Sequence, residues 1–108
     1  MMRKELGQAK KVFEEELEKA GLELISLLLF GSRATGDFNQ DSDWDFLLII
    51  DQDLERKQKW ELILKMKRKL AKLRIPNDII IESEKRLGQK ARDPGHIAHY
   101  ALKQAAKI

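Results

Sequence analysis

The stretch from Gly31 to Phe46 constrains this chain more than all the rest of it. A Gly31-Ser32 step closes one apolar run, and after ten further residues Asp43 and Asp45 stand one residue apart at the head of another. Successive strand residues alternate faces, so the two carboxylates project to one side with Cα atoms ~6.6 Å apart. Two acids that close repel each other, and a fold has no evident reason to align them at a strand mouth unless a cation joins them. Hard divalent cations take carboxylate oxygens. The Gly31-Ser32 step offers backbone N–H groups and a hydroxyl, which suit phosphate. A cation site beside a phosphate site points to nucleotide chemistry.

The elements that would carry this site follow from hydrophobic periodicity. Leu6, Ala9, Phe13, Leu17 and Ala20 recur at helical spacing, with Gly21 as a stop. Leu22 to Phe30 is nearly all apolar and of strand length, Phe46 to Ile50 is a second such run, and Ile79-Ile80-Ile81 is the heart of a third. Between the second and third lies a helical segment from about Leu54 to Leu73, with Trp60, Ile63, Leu64, Leu70 and Ala71 expected on its apolar side, broken by Pro76-Asn77. Lys85 to Ala91 reads as a short helix, Asp93-Pro94-Gly95 as a turn, and Ile97 to Lys107 as a last helix.

Topology follows from where the acids can meet. An antiparallel pairing of the first two strands sets Gly31-Ser32 beside Asp43 and Asp45. Asp78 stands just before the third apolar run, so only a parallel partner brings it to the other two, and the intervening helix is the crossover that a parallel pair requires. The expected architecture is α+β, a mixed three-stranded sheet packed against helices in the order αββαβα.

Such a site suits two Mg²⁺ ions ~3.5–4 Å apart, the spacing of two-metal phosphoryl-transfer enzymes. Asp43, Asp45 and Asp78 would be both the metal ligands and the catalytic acids. Gly31 and Ser32 would cradle phosphates, and Arg33 would add charge there. Catalysis of this kind is positioning and charge neutralisation, with little covalent work for the protein.

Composition narrows the setting. At 108 residues the chain is expected to form one domain, residues 1–108, with no room for a second substrate domain. The balance of 21 Lys+Arg against 18 Asp+Glu leaves a net charge of +3, which disfavours a general nucleic-acid binder. There is no cysteine, so disulfides and thiolate metal sites are excluded. Met1-Met2-Arg3-Lys4 leads into acidic rather than apolar residues, unlike a signal peptide, and the longest apolar run is far below a membrane span. A cytoplasmic protein is the default expectation.

These residues resemble the DNA polymerase β-like nucleotidyltransferase superfamily, in particular its minimal nucleotidyltransferases, small antitoxin-type proteins encoded beside HEPN-domain partners. Gly31, Ser32, Asp43 and Asp45 match the motif position by position, Ala34, Gly36 and Ser42 fit its usual filling, and Asp78-Ile79-Ile80 matches the third acid. Pro94 to Ala98 and Ala101 to Lys103 are similar to the C-terminal helix of these proteins. Trp44 stands where an aliphatic residue is more usual and should point away from the metals. Ala105 to Ile108 replaces the usual glycine-hydrophobic ending with Leu-Tyr. The resemblance implies Mg²⁺ dependence and transfer of AMP from ATP to a hydroxyl, in some relatives a tyrosine of the HEPN toxin.

Other signals have plainer readings. Lys57, Lys65, Arg68, Lys69 and Lys72 share a helical arc of roughly 120°, but Glu61 interrupts it, so a solvated face is favoured over an RNA site. His96 and His99 lack an evident third ligand, and Tyr100 reads as a packing residue. The rival class of function is a binding-only antitoxin that inhibits by occlusion. An antibiotic nucleotidyltransferase would need a drug-holding domain for which no residues remain. Homo-oligomerisation is left open.

Overall fold

A computed structural model describes residues 2–30, 43–86 and 106–107. The elements are α1 (Met2–Lys19), β1 (Leu24–Phe30), β2 (Trp44–Ile50), α2 (Arg56–Lys72), β3 (Asn77–Ser83) and a two-residue strand β4 (Ala106–Lys107). Strands β1 and β2 pair antiparallel, from Leu24 opposite Ile50 to Phe30 opposite Asp45. Strands β2 and β3 pair parallel, from Trp44 beside Asn77 to Ile50 beside Ser83. Helix α2 is the crossover between them, and the sheet order is β3-β2-β1-β4. The mixed α+β architecture is therefore the expected one.

Strand alternation decides what each face does. Trp44, Phe46, Leu48 and Ile50 of β2 join Leu27, Leu29, Ile79 and Ile81 in one buried cluster with Ala9, Phe13 and Leu17 of α1 and Met66 and Leu70 of α2. Phe13 meets Phe46 edge-on at 5.0 Å, and Trp44 stacks on Phe46 at 6.3 Å with planes 9° apart. The intervening β2 residues Leu47 and Ile49 face the other way, where they cluster with Leu28, Phe30 and Ile80. Both described helices thus pack on one face, and by the same alternation Asp45 belongs to the other.

Chain reversals between elements are local. Helix α1 ends as Leu22 N–H donates to the Leu17 carbonyl at 2.9 Å, with Gly21 at φ 75° supplying the left-handed residue this stop needs. Helix α2 closes in the same way, Ile75 N–H donating to the Leu70 carbonyl at 2.9 Å, but here a non-glycine residue, Arg74, takes the positive φ of 59°.

Two expectations are corrected. The last helix was expected to reach Lys107, yet Ala106 and Lys107 pair antiparallel with Leu29 and Leu28. An edge strand offers unpaired backbone groups, and β4 satisfies some of those of β1. Residues 87–105, which contain the rest of that expected helix, most of the short one before it, the turn at Asp93-Pro94-Gly95, His96, His99 and Tyr100, lie outside the described residues. On α2 the apolar phase also differs: Leu62, Ile63, Met66 and Leu70 are buried, whereas Trp60 is 59% and Leu64 47% exposed and Ala71 is exposed. At ~100° per residue, Trp60 and Leu64 sit more than roughly 100° from the centre of the buried arc.

The basic side of α2 is partly structural. Lys69 pairs with Glu16 of α1, whose side chain is only 6% exposed, and Lys19 stands 3.5 Å from the same oxygen. The Lys69 hydrogen bond, opposed by burial and helped by Lys19, holds the Glu16 carboxyl below its ordinary value of 4.5. A depressed carboxyl stabilises the fold above its unfolded pKa and loses that contribution as pH falls through the folded one. Glu16→Gln should therefore cost about 1 kcal/mol at neutral pH. In urea titrations the gap to the parent should stay constant above pH 4.5 and close only below it. A gap independent of pH would show that Glu16 acts by packing alone.

Candidate active site

Two rules of strand geometry converge at the head of β2. Asp45 lies on the face away from the helices, Asp43 stands one residue before the strand with its charge felt at Asp45, and Trp44 between them is 3% exposed among the helix-facing residues, as expected. Parallel register then sets Asp78 directly beside Asp45. Strand β1 ends at Phe30, across from Asp45, so the chain leaves β1 next to this carboxylate. Gly31, Ser32 and Arg33 follow at once in sequence but lie outside the described residues.

The charges of its two acidic neighbours bear on Asp45. The Asp45 carboxyl is raised above its ordinary value of 3.8, first by burial, then by the negative charges of Asp78 and Asp43. Asp45 is half-buried, and both Asp43 and Asp78 are exposed. Asp78 Oδ1 accepts the N–H of Ile79 at 3.1 Å and lies 3.8 Å from Lys67 Nζ. Lys67 also donates to the Asn77 carbonyl at 3.0 Å, tying the last turns of α2 to the start of β3. This lysine was not singled out by sequence; its one signal is its place between Ile63 and Leu70 on the flank of the buried arc.

The three acids offer only carboxylate oxygen, which suits a hard cation, and a bound divalent ion would offset the part of the Asp45 shift that comes, after burial, from the charges of Asp78 and Asp43. The trio is not a finished cage, since among the described residues no three acids, histidines or cysteines are gathered tightly enough to hold a metal. Two hollows of about 590 and 530 Å³ flank Trp60 at the opposite end of α2 and are bordered by none of the three aspartates. No helix among the described residues is long and apolar enough to cross a membrane.

Known proteins resemble the chain in both sequence and fold. The pattern of the family described as "Polymerase beta, Nucleotidyltransferase" matches residues 8–93. Protein adenylyltransferase MntA of Aphanizomenon flos-aquae (strain 2012/KM1/D3) is 44% identical over 45 residues, which cover 35% of this chain and 30% of that protein. The chain therefore spans under a third of the length of this curated relative. A crystal structure of a toxin–antitoxin with AMP-PNP superposes with a TM-score of 0.59 at 20% identity, over 94% of this chain and 69% of that one. The tri-AMPylated Shewanella oneidensis HEPN toxin in complex with MNT antitoxin superposes with a TM-score of 0.58 at 18% identity, over 99% and 71%. At such identities the likeness speaks for the fold. With most of its length inside the family pattern and its acids at the head of a mixed sheet, the chain belongs to the polymerase beta nucleotidyltransferase family.

Proposed function

We propose that this chain moves AMP from ATP onto a hydroxyl acceptor, a tyrosine of a HEPN-domain partner, and so acts as a cytoplasmic antitoxin. The observation that carries this reading is the parallel register of β2 and β3, which sets Asp78 beside Asp45 at the end of the sheet where Asp43 stands. Sequence likeness to a protein adenylyltransferase, and a shared fold with an antitoxin seen beside an AMPylated HEPN toxin, support the choice of donor and acceptor.

Asp43, Asp45 and Asp78 would together hold two Mg²⁺ ions. When bound, these ions polarise the α-phosphate and offset the charge of the departing pyrophosphate. Asp78 receives the proton of the acceptor hydroxyl, whose oxygen bonds to the α-phosphorus as the bond to pyrophosphate breaks. Gly31 and Ser32 would cradle the β- and γ-phosphates through backbone N–H groups and a hydroxyl, with Arg33 adding positive charge.

Intact-mass measurement of the partner after incubation with ATP and Mg²⁺ tests the proposal. Increments of one AMP group, absent with chelator, are the expected result. Full neutralisation of the partner with no mass change would favour inhibition by occlusion.

A further inference from the structure

We propose that Lys67 is a positioning residue for the third carboxylate, its ammonium and the Ile79 N–H holding Asp78 Oδ1 so that Oδ2 is presented to the cation. The inference rests on the reading of Asp78 as a cation ligand. Lys67 rises from the flank of the buried arc of α2, with Met66 fully buried next to it and its own side chain 35% exposed. Its Nζ is fixed by the Asn77 carbonyl at 3.0 Å and reaches Asp78 Oδ1 at 3.8 Å, an ion-pair distance. The Ile79 N–H occupies the same oxygen at 3.1 Å. The Ile79 N–H and the Lys67 ammonium thus both lie toward Oδ1 of a side chain that is 63% exposed, and among the described residues no hydrogen bond or ion pair falls on Oδ2.

Without such a tether, an exposed Asp rotates freely about its side-chain torsions, and binding a cation must freeze that freedom. Losing a hydrogen bond to a ligating carboxylate typically costs 10–100-fold in metal affinity or activity, and losing the Lys67 ion pair, at 3.8 Å longer than a hydrogen bond, should fall at the low end of that range. A cation near a metal site has an opposite effect if it acts only through charge: its repulsion weakens metal binding, and removing it tightens binding. The sign of the change in affinity thus separates tethering from mere charge.

The test is binding of Mn²⁺ alone, followed by electron paramagnetic resonance of the free ion, for the parent chain, Lys67→Met, Lys67→Arg, Asp78→Asn and the Lys67→Met/Asp78→Asn double variant. Lys65→Met serves as a control, because Lys65 is exposed on the same helix. Lys67→Met should bind Mn²⁺ about 10-fold more weakly, and Lys67→Arg should recover most of the loss. In the Asp78→Asn background Lys67→Met should have no further effect, because the tether then has nothing to hold. If Lys67→Met does not fold, Lys67→Gln, which keeps a donor and removes the charge, takes its place with the same expectation of weakened binding. Unchanged or tighter binding by Lys67→Met overturns the inference while the site stands, and so does an equal loss in both backgrounds. A parent chain that binds no Mn²⁺, or an Asp78→Asn variant that binds as the parent does, overturns the cation reading of Asp78 and this inference with it.

Discussion

Asp45→Asn should lower AMP transfer by about two to three orders of magnitude, the scale of losing one preorganised electrostatic group at a reacting phosphoryl centre. The same substitution should leave the ligand-free protein no less stable, and above the raised pKa of Asp45 more stable. The reason lies in the sign of the shift. Burial and the charges of Asp78 and Asp43 raise the Asp45 carboxyl, so folding disfavours its ionised form at neutral pH. Linkage then predicts that stability of the metal-free chain rises as pH falls through the raised value, levelling off below the ordinary 3.8. An asparagine removes the repulsion at every pH. Melting in the presence of chelator, paired with a transfer assay in Mg²⁺, gives both readings on one sample. A variant that keeps full transfer would displace the reaction from this carboxylate. A variant that melts well below the parent would make Asp45 a structural residue.

Phe46→Ala should be the most damaging single truncation for stability, at about 3–5 kcal/mol. Phe46 is fully buried in the middle strand of the described β3-β2-β1 array, touched by Phe13 from α1 and stacked on by Trp44. Little on either side can collapse into the vacancy, because one neighbouring ring is held by α1 and the other by its own place two residues back on β2. Phe46→Leu, which refills most of the volume, should cost under about 2 kcal/mol. Trp60→Ala, on the exposed flank of α2, should change stability by no more than about 0.5 kcal/mol. Urea unfolding of the three variants gives the order. A Trp60→Ala loss comparable to that of Phe46→Ala would mean that the exposed flank of α2 takes part in the core.

Much of this arrangement is legible in the residues. Period-two alternation makes Asp43 and Asp45 neighbours, and the need to bring Asp78 to them selects a parallel crossover. The buried face of α1 is equally plain, because Ala9, Phe13 and Leu17 allow only one helical phase. On α2 two phases compete. Trp60 and Leu64 are large and apolar, and they outweigh by eye the tighter set of Leu62, Ile63, Met66 and Leu70 that the sheet selects. Lys67 hides for a related reason: among the many basic residues of that helix nothing local marks the one whose reach ends beside Asp78. Strand β4 depends on which edge of the sheet is open, a property of the assembled fold that an Ala-Lys pair does not announce. The phosphate-cradling roles proposed for Gly31, Ser32 and Arg33 come from the sequence pattern alone, as these residues lie outside the described part of the chain.

The two indoles of this chain sit in opposite surroundings, and one of them lies between two of the proposed ligands. Trp44 is 3% exposed and Trp60 59%. Intrinsic fluorescence should accordingly contain a blue-shifted component and a red-shifted one, with iodide quenching the red-shifted emission first. Because Trp44 shares its backbone with Asp43 and Asp45, any cation that draws those carboxylates together should perturb the protected emitter, so the protein carries its own optical gauge of the head of the second strand.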